Sequence, residues 1–185
     1  MLMIRYALLA TMILVAGCTT NRLHFASYST EQGLSEIRNA TTDVEVTGVS
    51  GIERCSDCTE QSKIVWHAAN YNGSLYEGYA MVPVRDLENF IMSALESRPD
   101  GKTKAKIGIK QIFLKTWNKP EYSACQVEMS VDINGAIYIG TGVVKIDRPG
   151  QSLLGRNLAQ LDPDALDTLR LALKSAYLNA LNQKS

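Results

Sequence analysis

Histidine is nearly missing from this chain, with two in 185 residues. His24 sits close to the N-terminus and leaves His67 as the one other imidazole, which argues against a Ser–His pair or a His-rich metal site. A Gly-rich phosphate loop is also missing. Gly140-Thr141-Gly142 lies inside an alternating strand pattern without the strand-to-helix context that such a loop needs. The chain has no nucleophile elbow, and its carboxylates are scattered with no pair at a spacing that suggests acid–base work. Neither sign of charge is in excess, with 19 basic and 19 acidic residues, so nucleic acid is not an expected partner. With 45% apolar and 21% charged residues, wholesale disorder is excluded. No enzymatic activity, cofactor or metal is expected.

Long hydrophobic runs are scarce as well. The N-terminal run, Tyr6 to Val15, has ten residues, whereas a spanning helix needs about 20. Arg5 precedes it and small residues close it, so residues 1–17 read as a secretory signal peptide. Leu14-Val15-Ala16-Gly17-Cys18 resembles the bacterial lipobox. That resemblance implies diacylglycerol on the Cys18 thiol, cleavage before it and acylation of the new amine. Thr19 stands where lipoproteins retained at the inner membrane typically carry Asp, which points to the outer membrane. Two or more acyl chains make such anchoring stable, at about 0.8 kcal/mol per buried methylene. Removing 17 residues leaves 168, with 18 basic against 19 acidic. Residues 18–42, rich in Ser, Thr, Asn and Gln, read as the lipidated N-terminus and a tether reaching about 25–30 Å. Leu23, Phe25, Leu34 and Ile37 mark places where it could dock. Residues 43–185 form a single domain.

Three cysteines follow the anchor, an odd number for an oxidising compartment. Cys55 and Cys58 flank Ser56-Asp57, and a short loop-closing disulfide is the favoured reading. A redox pair, half of a zinc site and a bridge to Cys125 are the alternatives. Cys125 shares an alternating face with Val127, Met129, Val131 and Ile133, as a buried, inert thiol would.

The periodicity predicts a first strand over Asp43 to Val49. Further strands are predicted at Ile64 to Ala69 and Leu75 to Val82, joined through Asn70-Tyr71-Asn72-Gly73. Val84 to Ser97 has helical spacing with Pro83 at its start. Lys104 to Trp117 alternates, then slips phase near Gln111, which predicts a bulge. Ala124 to Ile146 is a hairpin about Asn134-Gly135, whose type I′ turn sets Val131 against Tyr138, Met129 against Gly140 and Val127 against Gly142. Asp162 to Asn182 is a closing helix whose Ala172, Ala176 and Ala180 could pack over Gly140 and Gly142. The fold class is α+β: two layers, with an antiparallel sheet of three to five strands and two helices packed on one face.

Three surface features could carry function. Lys102, Lys104, Lys106, Lys110, Lys115 and Lys119 fall in one stretch without a carboxylate. They suit either a guarded edge strand or, at Lys104, Lys106 and Lys110, an anionic ligand such as a lipid headgroup or an acidic glycan. Ile137, Ile139 and Val143 line the back of the hairpin and call for cover, from the N-terminal segment or from a partner. Leu171 and Leu178 lie seven apart on the outward side of the last helix and, with Leu153, Leu154 and Leu158, could form a docking patch. Tyr71, Tyr76 and Tyr79 with Trp66 suit half-buried strand positions or a sugar- or peptide-binding groove.

Element order resembles that of small outer-membrane accessory lipoproteins, the YajG-like group and the auxiliary lipoproteins of ABC-type envelope transport systems. The carrying features are Cys18 in its lipobox, the helix around Arg85-Asp86-Leu87, the strand near Ile107-Gly108-Ile109, the Asn134-Gly135 hairpin and the Ala/Leu closing helix. The resemblance implies a non-enzymatic, lipid-anchored protein facing the periplasm, an accessory or scaffold subunit of an envelope assembly or transport machine. A ligand-binding module for an anionic lipid or glycan is the alternative.

Overall fold

The computed structural model describes residues 28–53, 64–68, 77–79, 84–118, 121–147 and 163–184. In chain order these form α1 (Glu31–Asn39), β1 (Val44–Ser50), β2 (Ile64–Ala68), β3 (Glu77–Tyr79) and α2 (Leu87–Ala94). Then follow β4 (Thr103–Asn118), β5 (Glu121–Ile133), β6 (Ala136–Asp147) and α3 (Pro163–Asn182). The fold class is α+β.

The Asn134-Gly135 turn starts the sheet. Both residues have positive φ, 55° and 85°, as a type I′ turn requires, and Asp132 Oδ1 accepts from the Gly135 N–H at 2.8 Å. From that turn β5 and β6 pair in the register expected, with Val131 opposite Tyr138, Met129 opposite Gly140 and Cys125 opposite Val144. The bulge also forms: Ile109 faces Met129 and Gln111 faces Glu128, leaving Lys110 as the extra residue. It moves the buried positions of β4 from Ala105, Ile107 and Ile109 to Ile112, Leu114 and Thr116.

Two expectations about the sheet are corrected. The sheet is mixed, because β1 and β2 run parallel to β4. It has six strands among the described residues, with β4 in the middle. β1 covers β4 from Thr103 to Gly108 and β2 covers it from Ile112 to Thr116, so the two lie end to end along one side. The lysines of β4 therefore do not guard a free edge.

α3 packs where the glycines allow it. A Cβ at Gly140 would fall on the Ala176 carbonyl oxygen and 2.8 Å from the Ala180 nitrogen. One at Gly142 would fall on the Ala172 carbonyl oxygen and 2.6 Å from the Ala176 nitrogen. Helix backbone thus rests on strand backbone, over the fully buried Val127, Met129 and Val131. Ile91, Ala94 and Leu95 of α2 and its last turn belong to the same core.

The outer edge of β6 is capped. Its Ile139, Thr141 and Val143 carbonyls accept from the Gln183 amide at 2.7 Å, the Asn179 amide at 2.7 Å and Ser29 at 3.2 Å.

α1 lies within the stretch 18–42 expected to be tether. Thr30 caps it, its hydroxyl accepting from Gly33 N–H at 3.1 Å, and it docks on α3 with Leu34 buried. Part of that stretch is therefore folded: α1 spans Glu31–Asn39, and Ser29 is already held by β6.

Candidate functional site

Alternation along β4, β5 and β6 builds the sheet face opposite α3. Cross-strand rows on it run Lys106–Asp132–Ile137, Gly108–Ser130–Ile139 and Phe113–Gln126–Val143. Ile137 is 65% exposed and Ile139 39%, so water meets two adjacent aliphatic side chains here. Val143 is half-buried, and its carbonyl holds Ser29. The N-terminal segment therefore covers one end of the aliphatic row and leaves the other open.

Lys104, Lys106 and Lys110 are exposed on this face. Lys104 reaches Glu45 at 3.5 Å. Exposed pairs of that kind contribute only about 0–1 kcal/mol, so the ammonium stays accessible to other anions. Glu45, Glu128 and Asp132 on the same face are only partly exposed. The charges that project furthest here are thus lysines.

The end of the face near the N-terminal segment is aromatic. Lys145 Nζ stands 5.0 Å from the Tyr122 ring centre and 5.7 Å from that of Tyr28, and pairs with Asp147 at 2.7 Å. Lys115, buried at 6% exposure, stands 5.6 Å from Tyr122. Partial burial raises the Tyr28 phenol pKa, with a further push from Tyr122. This cluster fastens the incoming chain and was not anticipated from sequence; its signal was the Tyr and Lys positions at the two strand ends, legible only once the register is known.

The other predicted docking residue pair fares differently. Leu171 is 2% exposed, and it lies between Asp167 and Lys174 on one helical face. Both of those neighbours bind α1: Asp167 pairs with the Arg38 guanidinium at 2.6 Å, and Lys174 donates to the Arg38 carbonyl at 3.0 Å. Leu171 therefore belongs to the core beneath α1 and cannot be a docking residue in this conformation. Leu178 is half-buried. Lys174, 3% exposed, also reaches Glu96 Oε1 at 2.6 Å and so ties three segments together.

Cys125 is a fully buried free thiol, its pKa driven far above the usual range by desolvation. Trp66 is buried and donates to Thr116 Oγ1 at 3.1 Å, which places it in the core instead of a groove. Cys18, Cys55, Cys58, Tyr71, Tyr76 and Leu153, Leu154 and Leu158 lie outside the described residues. Among the described residues, no group of three His, Cys, Asp or Glu side chains is placed to hold a metal, and no helix is long and apolar enough to cross a membrane.

No family model matches this chain. No curated protein matches it either. Among solved structures it is similar to a crystal structure described only as an uncharacterized protein, with 10% identity, a TM-score of 0.37, and 79% of this chain and 95% of the other covered.

Proposed function

We propose that this chain is a bacterial lipoprotein anchored through Cys18 to the outer membrane and facing the periplasm. In that setting it acts as a non-enzymatic accessory or scaffold subunit of an envelope assembly or transport machine. The observation that carries the docking part is the exposed Ile137–Ile139 pair on the sheet face opposite α3. Ile137, Ile139 and the open flank of Val143 form the partner contact; Leu171 is no longer part of it. The anchoring part rests on the lipobox resemblance alone.

Two measurements test this reading. Mass spectrometry of the mature N-terminal peptide is expected to show a lipid adduct on Cys18, and Cys18→Ser is expected to move the protein to the soluble fraction. Pull-down from membranes is expected to recover a stoichiometric envelope protein that Ile139→Asp loses. An unmodified Cys18 overturns the anchor, and recovery unaffected by Ile139→Asp overturns the docking surface.

A second reading has its own observation. Because β4 is central, Lys104, Lys106 and Lys110 project from the middle of a face and do not protect an edge. An anionic lipid or glycan lying across the face would meet them. That reading expects the purified domain to retain such a ligand and to lose it on charge reversal of Lys104 and Lys106.

A further inference from the structure

We infer that the sheet face opposite α3 lies on an anionic bilayer surface, with Ile137, Ile139 and Tyr28 entering the lipid interface and Lys104, Lys106 and Lys110 meeting the headgroups. This deepens the anionic-ligand reading of the face and rests on it; a protein bound to the same isoleucines is the competing occupant.

Among the described residues, the large hydrophobic side chains left exposed are Tyr28, Ile137 and Ile139. All three stand on this one face. Ile137 and Ile139 alternate outward from β6 beside the hairpin tip, and the Tyr28 ring lies against Lys145 of the same strand. From Ile137 to Lys145 that strand runs about 27 Å. Single exposed hydrophobics scattered over a surface are ordinary. Three gathered on one face, while a helix covers the other, mark a contact surface. Contacts so far apart on one face suit an occupant that is itself a surface. Tyrosine fits an interface in particular, because its ring sits among apolar groups while its hydroxyl stays wet.

The charges point the same way. Lys106 shares a cross-strand row with Asp132 and Ile137, so its backbone lies about 10 Å from that of Ile137. A lysine carries its ammonium on a long apolar stem and can reach headgroups around an inserted aliphatic side chain. The carboxylates of the face are already engaged or set lower. Asp132 Oδ1 accepts from the Gly135 N–H at 2.8 Å, and Glu128 is only partly exposed. Glu45 is held at 3.5 Å by Lys104, whose side chain is 71% exposed against 26% for the glutamate. Lys145 is paired with Asp147 at 2.7 Å and adds no net charge. Two aliphatics and a few lysines bind a membrane far more weakly than acyl chains do. The face therefore orients the domain on lipid and does not replace the anchor proposed at Cys18.

Vesicle flotation tests this with the full mature-length chain carrying Cys18→Ser, which has no acyl chains. The probes are mixed phosphatidylglycerol–phosphatidylcholine vesicles and pure phosphatidylcholine vesicles. At low salt the chain is expected to float with the first and not with the second, and raising salt from about 0.05 to about 0.5 M should release it. Lys104→Gln together with Lys106→Gln should weaken partitioning about 30-fold. Ile137→Asp should abolish flotation while its urea midpoint stays near that of the parent, because the side chain is 65% exposed. A parent chain that stays down with anionic vesicles, floats equally with both lipids, or is matched by Ile137→Asp overturns the inference. So does an envelope protein recovered in pull-down and lost on Ile139→Asp when flotation is absent, which gives the face to a protein. The anionic-ligand reading is judged apart from flotation: it stands where the purified chain retains an anionic ligand that charge reversal of Lys104 and Lys106 removes, and falls where it does not.

Discussion

Gly140→Ala is a sharp test of how the two layers meet. The added methyl points at helix backbone, with the Ala176 carbonyl oxygen in its place, the Ala180 nitrogen at 2.8 Å and the Ala176 carbonyl carbon at 2.9 Å. Backbone has no alternative rotamer, so α3 must lift from the sheet. A gap of 0.5–1 Å forfeits about a quarter to a half of each dispersion contact along the seam. Overpacking of this kind destabilises by about 1–3 kcal/mol. Against it stands the reduced freedom of the unfolded chain, which favours Ala over Gly by about 0.4–1 kcal/mol. The balance is a loss of about 1.3 kcal/mol. With a urea m-value of about 2 kcal/mol/M for a domain this size, the midpoint falls by about 0.6–0.7 M. Gly48→Ala is the control, since a Cβ there meets nothing within 4 Å, and its midpoint should hold or rise slightly. Adding Gly142→Ala to Gly140→Ala should give less than the sum, because one displacement of α3 relieves both contacts. An unchanged or raised midpoint for Gly140→Ala refutes the backbone-on-backbone seam.

Three further outcomes follow from buried groups. Glu96→Ala leaves the Lys174 ammonium with the Arg38 carbonyl and should lower stability by about 1–3 kcal/mol in thermal unfolding, whereas Glu96→Gly should recover about 1 kcal/mol of that because Glu96 sits at φ 53°. Tyr177→Phe should be near neutral at pH 7, since the buried phenol it removes faces Thr42 without full hydrogen-bond geometry. Burial raises the Tyr177 phenol above 10.0, so the unfolded chain ionises first and stability falls as pH rises past that value; urea titrations of wild type and Tyr177→Phe should diverge only there. Cys125 should resist thiol reagents in the native state and react only at the rate of opening, a result that fast stoichiometric labelling of the folded protein would contradict.

Local chemistry was readable and distant cover was not. The hairpin register, the bulge and the Ala-on-Gly seam all follow from turn residues and period-two alternation, which neighbouring positions dictate. The parallel pairing of β1 and β2 with β4 joins segments tens of residues apart, and alternation says nothing about strand direction. The same blindness misplaced Leu171. Its helical angle did put it away from the main stripe, but α1 covers that side. Thr30 before Glu31, with Arg38 in the last turn, was the capping signal that could have revealed α1. The exposed Ile137 and Ile139 were legible because the turn alone decides which face they take.

The caps on β6 bear on what happens when the C-terminus is trimmed. Gln183 and Asn179 occupy carbonyls that another chain's strand would otherwise take as acceptors. Ending the chain at Asn182 would remove little of the core, yet it would free the Ile139 acceptor beside two exposed isoleucines. The product would be nearly as stable and far more inclined to polymerise strand to strand. Gln183 thus shields the β6 edge while adding little to the core.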